Sequence, residues 1–274
     1  MQNNLKICFI GGGNMAQALI GGLADNLTAA ANIHVVDVNP DALAALKAQF
    51  GVQTSSAPGG EVAAADVLVL AVKPQQMHEV VSNLVPHMGG QLVLSIAAGI
   101  RAVDLSRWLN GHQAIVRTMP NTPALIGKGV TGMTASAGVT PEQRATADAI
   151  LKAVGQTVWL EDESQLDAVT AISGSGPAYV FYFLEAMQKA AVDLGLTAEQ
   201  GYALALATFT GASALATQSS DPASVLRERV TSKGGTTHAA ITSMQVAGVG
   251  EAIAAALQAA AKRSQEMGEE FGKV

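Results

Sequence analysis

The sequence predicts an α/β protein in which a doubly wound parallel sheet is followed by an all-helical domain. Short aliphatic runs alternate with helical patterns over roughly the first 160 residues, which is typical of βαβ units. From about residue 161 onward only long Ala-rich helical patterns occur. Hydrophobic residues make up 49% of the 274 residues and charged residues 14%, so a large core is available. We therefore place one domain at 1–162 and a second at 163–274.

The elements of the first domain are bounded by glycine and proline. The first strand is the run from Ile7 to Ile10, and three glycines separate it from a helical pattern. Further strands are expected at 33–37, 52–54, 66–72, 92–96, 115–119 and 157–160. Helices are expected to follow at 40–50, at 75–85 and from residue 141 onward. In the second domain the helical patterns cover 164–173, 177–194, 198–217, 222–230, 238–246 and 249–268.

Composition and charge exclude several classes of protein. A net charge of −6, without a run of Lys or Arg, argues against nucleic acid as the main partner. The single cysteine, Cys8, lies within the first strand, which predicts a buried thiol and no intrachain disulfide. The five histidines form no HExxH-like pair, so we expect no metal site. The chain enters its first strand directly and its apolar segments are short, so we expect no signal peptide, no membrane span and a cytoplasmic location.

The glycines after the first strand predict a dinucleotide site. Gly11-x-Gly13-x-x-Ala16 fits the GxGxxG/A pattern, and it stands between a strand and a helix as that pattern requires. The tight turn excludes a Cβ, and the free amides at the helix start direct a partial positive charge at an anion. Glycine turns also join strands to helices for structural reasons alone, so the position of the motif carries this prediction.

The ends of the other strands supply further candidates, because ligands of doubly wound sheets bind at the carboxyl edge. Asp37 ends the second strand and is 24 residues beyond Gly13, close to the spacing of the acid that binds the adenine ribose. The alternative is a solvated strand-end carboxylate. Three loops follow later strands, at 71–74, 95–99 and 119–123, and in the last of them Asn121 lies between two prolines.

The helical half contains a second glycine motif, Thr231–Thr237, with the sequence TSKGGTT. Two glycines followed by hydroxyl groups at a helix start can bind an anion and suit a carboxylate. Either Thr236 or Thr237 could instead be a simple N-cap. The segment 173–177, SGSGP, is a comparable break between helices, where glycine permits close helix approach and proline begins the next helix.

Taken in order, FIGGGNMA, AVKP, SIAAG, MPNTP, SGSGPAY and SKGGTT resemble the pyrroline-5-carboxylate reductase family from residue 5 to about residue 268. The resemblance implies a Rossmann domain and a helical domain that interlocks with that of a partner in a homodimer, with rings of dimers in some members. It also implies reduction of 1-pyrroline-5-carboxylate to L-proline by NADPH or NADH, without a metal.

Hydride transfer to the imine requires near-attack contact, about 3–3.5 Å, and a group that neutralises the substrate carboxylate. We expect the amides of Gly234, Gly235 and Thr236 to hold that carboxylate. Thr237 is the candidate catalytic residue, with its Oγ on the ring nitrogen. Because an unactivated threonine is a weak acid, we expect it to position the substrate more than to transfer a proton. The remaining candidate substrate residues are Ser232, which supports the loop, and Glu163, which is implied by the resemblance alone. The candidate cofactor residues are Gly11, Gly12, Gly13, Asn14, Met15, Asp37, Asn39, Ala71, Val72, Lys73, Pro74, Ala98 and Asn121.

The sequence departs from many relatives after the second strand, where Asp37-Val38-Asn39 contains no arginine. A carboxylate would repel the 2′-phosphate of NADPH, so we expect NADH to be used unusually well, while Asn39 could still serve NADPH. Two other functions stay open at this point. One is a related reductase with a catalytic lysine, for which Lys189 and Lys233 are the candidates, and the other is a nucleotide-sensing module without turnover.

Overall fold

The computed structural model describes residues 4–24 and 26–273 and divides into two compact units. The sheet unit holds the chain up to Ser175 together with the stretch from Ala259 onward, and the helical unit is Gly176–Gln258. The two units are separated at residues 175/176 and 258/259, whereas the sequence placed one domain boundary between residues 162 and 163. That boundary stays a prediction about which parts of the chain fold independently.

The sheet unit is built on eight strands, and the predicted α/β fold class is confirmed. The strands are β1 Ile7–Ile10, β2 Ile33–Val36, β3 Gln53–Ser55, β4 Val67–Leu70, β5 Leu92–Ser95, β6 Ile115–Met119, β7 Gly129–Ala135 and β8 Gly155–Trp159. Their order across the sheet is β3-β2-β1-β4-β5-β6-β7-β8. The strand order reverses between β1 and β4, and the carboxyl edge at such a switch point is where these sheets bind ligands.

The last two strands run opposite to the other six, so the predicted parallel sheet is mostly parallel. Strands β1 to β6 are parallel, whereas β7 is antiparallel to β6, and β8 is parallel to β7. Strand β7 was not predicted at all, because Gly129 and Gly132 interrupt its apolar pattern. Gly132 is needed for packing, since a Cβ at this position would lie 2.7 Å from Cγ1 of Val169.

Twelve α-helices lie within the described residues. They are α1 Asn14–Leu23, α2 Pro40–Phe50, α3 Gly60–Ala64, α4 Met77–Leu84, α5 Ala102–Trp108, α6 Pro141–Lys152, α7 Gln165–Val169, α8 Gly176–Asp193, α9 Ala198–Gln218, α10 Ala223–Arg229, α11 Thr236–Val246 and α12 Val249–Phe271. A π-helical turn, Thr170–Gly174, follows α7.

Local sequence accounts for where several helices begin and end. Asn39 accepts hydrogen bonds from the amides of Asp41 and Ala42 at the start of α2, and Gly51 ends that helix in the left-handed conformation. Helices α6 and α9 each begin with a capping box, in which a threonine and a glutamine three residues later bond each other's backbone amides.

The core lies on both faces of the sheet. Side chains alternate along β1, so Ile7 and Phe9 enter one apolar cluster while Cys8 and Ile10 enter the other. All residues of β1 and β4 are buried, as expected for central parallel strands covered by helices on both faces. The prediction of a buried thiol at Cys8 is therefore confirmed, and burial raises the pKa of this thiol to about 12.

Contacts to the sheet explain why α7 and the end of α12 group with it. The Ser264 hydroxyl of α12 donates to Asp167 of α7 at 2.6 Å, and Met267 lies against Gly99 in the loop after β5. Within residues 4–24 and 26–273, no single helix is long and apolar enough to cross a membrane. Helices α11 and α12 taken together, across a bend of 52°, meet that criterion by length and composition.

Candidate functional site

The turn between β1 and α1 has the geometry of a phosphate-binding site. Gly11 has a φ of +102°, and a Cβ there would lie 2.7 Å from the carbonyl oxygen of Ala71 at the end of β4, so only glycine fits. The N-cap of α1 is Gly13, which has no side chain with which to bond the amides of the first turn. Those amides, on uncharged residues, can therefore bind an anion, and the helix dipole adds to the attraction.

Asp37 lies directly beside this turn. One carboxylate oxygen accepts a hydrogen bond from the amide of Gly12 at 2.7 Å, and the other accepts from the amide of Asn39 at 2.9 Å. The side chain is half-buried, and it is held in place rather than free in solvent. The side-chain oxygen of Asn39, in contrast, caps α2 through two hydrogen bonds to backbone amides.

A pocket of about 480 Å³ opens at this edge of the sheet. Six of the sequence-predicted cofactor residues line it: Gly11, Gly13, Asp37, Ala71, Val72 and Lys73. The pocket also includes residues that the motifs did not indicate, of which Ser56 and Pro58 follow β3, and Gln76, Glu79 and Asn83 lie in or near α4. In the sequence, these residues are marked as candidates only by their position after predicted strands. The other predicted cofactor residues, Gly12, Asn14, Met15, Asn39, Pro74, Ala98 and Asn121, are outside its lining.

Asn121 uses both ends of its side-chain amide within the sheet unit. Its Oδ1 accepts from the amide of Val130 at 2.9 Å, and its Nδ2 donates to the carbonyl oxygen of Ser173 at 3.2 Å. Asn121 itself is buried. The MPNTP loop is thereby fixed to β7 on one side and to the SGSG segment on the other.

Glu163 is engaged by two groups of the sheet unit. Its Oε1 accepts from the amide of Ala102, at the start of α5, at 2.7 Å and from Nη1 of Arg117 at 2.9 Å. The Arg117 side chain, on β6, is only 7% exposed, whereas that of Glu163 is 34% exposed. Sequence reasoning passed over Arg117, although an arginine inside a predicted central strand signals a buried partner of opposite charge.

The TSKGGTT segment forms a second helix start without a side-chain cap, in the helical unit. Gly234 has a φ of +76°, and the amide of Gly235 bonds the carbonyl oxygen of Ser232 at 2.9 Å. Helix α11 begins at Thr236, two residues earlier than predicted, and its N-cap is Gly235. The alternative that Thr236 or Thr237 is the N-cap is therefore wrong, and both lie in the first turn. Thr237 is half-buried and Thr236 is exposed.

Among the described residues, no group of three or more His, Cys, Asp or Glu side chains is arranged to hold a metal ion.

Comparison with known proteins assigns both parts of the chain. Residues 6–99 match a family described as NADP oxidoreductase, coenzyme F420-dependent, and residues 163–267 match pyrroline-5-carboxylate reductase dimerisation. A pyrroline-5-carboxylate reductase of Pseudomonas aeruginosa is 45% identical to this chain over 98% of both sequences. The chain belongs to the pyrroline-5-carboxylate reductase family.

Other members of the pyrroline-5-carboxylate reductase family agree over the same length. The enzyme of that name from Escherichia coli is 36% identical, covering 96% of this chain and 98% of its own. The solved structure from Coxiella burnetii has a TM-score of 0.91 and 39% identity, covering 97% of this chain and 99% of that one. The structure from Plasmodium falciparum, solved with NADP bound, has a TM-score of 0.87 and 28% identity, covering 98% of this chain and all of its own.

Proposed function

We propose that this chain reduces 1-pyrroline-5-carboxylate to L-proline by hydride transfer from NADH or NADPH. The observation that carries the proposal is the 45% identity, over nearly the whole of both chains, to a protein named for that activity. The chemistry of the two glycine motifs supports it, because one motif suits a pyrophosphate and the other a small carboxylate.

The residues of the sheet unit fit a dinucleotide. The first-turn amides of α1 would bind the pyrophosphate, and Gly13, with open space where a Cβ would be, leaves room for its close approach. Asp37, fixed by the amide of Gly12, would accept hydrogen bonds from the adenine ribose. The bound nicotinamide would supply the hydride. The loops at 71–74 and 96–99 would hold the nicotinamide half of the cofactor. They follow β4 and β5, which lie on the opposite side of the switch point from β2 and Asp37.

In the substrate part of the mechanism, the amides of Gly234 and Thr236 hold the carboxylate at the start of α11. The amide of Gly235, which the sequence also suggested for this role, already donates to the carbonyl oxygen of Ser232. The imine reacts in its protonated, iminium form. Its carbon accepts the hydride, the electron pair of the C=N double bond moves to the ring nitrogen, and the proton already on that nitrogen stays in the product amine. Thr237 Oγ hydrogen-bonds this nitrogen and orients it. A threonine hydroxyl without an adjacent base is a weak acid, so positioning is the main part of this role.

Two further residues complete the proposed substrate site. Ser232 supports the loop by closing its turn, since its carbonyl oxygen accepts from the amide of Gly235. Glu163 enters by family resemblance. Because its Oε1 already accepts two hydrogen bonds, a contact with substrate would fall to Oε2.

We propose that NADH is used unusually well, while NADPH can still serve as cofactor. The 2′-phosphate of NADPH would lie near the Asp37 carboxylate, and the two negative charges would repel each other. Asn39 gives little compensation, because its side-chain oxygen caps α2 and its amide nitrogen is a neutral donor that does not offset the carboxylate charge.

The proposed assembly is a homodimer formed through the helical domain, with a ring of dimers as the larger form. The matching dimerisation family supports the dimer. Large apolar side chains on α8 and α9 support it as well, since Phe181 is 60% exposed, Tyr182 71% and Leu204 59%. Light scattering coupled to gel filtration would give the mass directly, and a monomer at micromolar concentration would contradict this proposal. A cytoplasmic location stays a prediction.

The activity is tested by mixing the chain with NADH and 1-pyrroline-5-carboxylate and following the absorbance of the reduced nicotinamide. Oxidation that depends on the imino acid and yields L-proline is expected. A nucleotide-sensing module would bind NADH without oxidising it, and a related reductase would oxidise it with a different substrate.

A further inference from the structure

The last turn of α12 and the residues after it pack against the loop that follows β5. We call residues 267–272 the C-terminal strap. Gly99, in that loop, has a φ of +73°, and a Cβ there would lie 3.0 Å from the Cβ of Met267 and 3.5 Å from Cδ2 of Phe271. Gly268 is buried against the same turn, facing the carbonyl oxygen of Gly99. The strap therefore packs closely against Gly99 and leaves little room for a side chain there.

A polar cluster holds the end of the strap. Nη2 of Arg107 donates to the carbonyl oxygen of Gly272 at 2.7 Å and lies 3.3 Å from the Asp104 carboxylate. Asp104, whose side chain is only 5% exposed, also accepts from Nε of Arg101 at 2.7 Å. A Cβ on Gly272 would lie 2.7 Å from Oδ2 of Asp104. The buried Asp104 carboxylate thus holds two guanidinium groups in place, and one of them, that of Arg107, binds the end of the strap.

The loop under the strap lies at the ligand-binding edge of the sheet. Residues 96–99 follow the carboxyl end of β5, which neighbours β4, and the loop after β4 lines the pocket. In such sheets a dinucleotide crosses the switch point, so an acid at the end of β2 and a loop at the end of β5 serve opposite halves of it. Ala98 is half-buried between the buried Ala97 and Gly99, and Ile96 is half-buried as well, so these two residues of the loop are available for contact.

We propose that the C-terminal strap is a positioning element of the dinucleotide site. It fixes the left-handed turn at Gly99, so that the backbone around Ala98 is already ordered for the nicotinamide half of the cofactor. Loss of the strap leaves the loop free to adopt other turns, and cofactor binding must then bear the cost of ordering it. This inference rests on the proposed function, and it assigns a role to a part of the chain outside all of the sequence motifs.

Two single substitutions loosen the strap while leaving the pocket residues unchanged. Arg107→Met removes the bond to Gly272 but leaves Asp104 paired with Arg101, so the buried carboxylate stays compensated. Gly272→Val places a branched side chain against the same cluster and displaces the end of the strap. Lys273→Ala, at the exposed next residue, is the matched control.

Both variants are expected to bind NADH about five- to tenfold more weakly than the unmodified chain and the control. Binding is measured without substrate, by nicotinamide fluorescence or calorimetry. Turnover at saturating NADH and the KM for the imino acid should stay within about twofold, because the chemistry itself is untouched.

An unchanged Kd for NADH in either folded variant overturns the proposal. The proposal is also overturned if every kinetic constant falls in parallel with the folded fraction measured by circular dichroism. That result would show a general loss of stability. If the unmodified chain fails to reduce 1-pyrroline-5-carboxylate but the variants still bind NADH more weakly, the strap proposal stands and the proposed function fails.

Discussion

Replacing Asp37 by asparagine should shift the choice of cofactor toward NADPH. The substitution removes one negative charge at the end of β2 and keeps nearly the same shape. The new amide oxygen can still accept from the Gly12 amide, which is 2.7 Å from the carboxylate in the native chain. One of the two native hydrogen bonds is lost, because the amide nitrogen cannot accept from Asn39, at a cost of about 1 kcal/mol.

The size of the shift follows from the position of the charge. Asp37 is half-buried, so the effective dielectric constant lies between about 20 and 80, and two unit charges about 5 Å apart repel by about 1–3 kcal/mol. Removal of this repulsion should raise kcat/KM for NADPH by roughly 5- to 150-fold. NADH loses a charged acceptor for its ribose hydroxyl group and should fall by about 2- to 10-fold.

The assay compares kcat/KM for the two cofactors at saturating 1-pyrroline-5-carboxylate, in the native chain and in Asp37→Asn. Asp41→Asn is the control, because Asp41 carries the same charge in the first turn of α2 but lies outside the pocket. If the ratio of the two constants changes by less than about threefold in Asp37→Asn, the carboxylate does not face the ribose and the reasoning is refuted.

Three further predictions concern other residues. Thr237→Ala should lower kcat at saturating substrate by roughly 10- to 100-fold while Thr237→Ser keeps most of it, and an unchanged kcat would remove the hydroxyl from the mechanism. Arg117→Met should lower the unfolding free energy measured in urea by about 1–3 kcal/mol, less than for a fully buried ion pair because Glu163 is 34% exposed. The double variant Arg117→Met with Glu163→Gln should lose less stability than the sum of the two single variants. Burial raises the pKa of the Cys8 thiol to about 12, so at about pH 8 its thiolate is roughly a thousandfold scarcer than that of a thiol with an ordinary pKa. A thiol reagent should therefore react with Cys8 only after unfolding. Rapid reaction with the folded chain would contradict this.

The local parts of the fold were predictable because their causes lie close together in the sequence. The turn at Gly11 and the end of α2 at Gly51 each depend on backbone conformations that favour glycine, and both were found as expected. Strand β7 could not be found in this way. Its glycines break the apolar pattern, and the reason for Gly132, the side chain of Val169, is supplied by an element further along the chain.

The backbone geometry of the candidate site was predictable only where the motifs specify it. The glycine turn, Asp37 and the TSKGGTT helix start have the local geometry that the patterns indicate. The partners of Asn121 and Glu163 could not be predicted, because they come from residues up to 61 positions away in the sequence. The C-terminal strap is the extreme case, since Arg107 and Gly272 are 165 residues apart.

The central claim is that this chain transfers a hydride to the cyclic imine. Its most direct test is a single reaction in which NADH oxidation and L-proline formation are measured together, with 1-pyrroline-5-carboxylate as the only other reactant. We predict that proline forms in an amount equal to the NADH consumed. An absence of imino-acid-dependent oxidation with both NADH and NADPH, in a folded and dimeric preparation, would contradict the account.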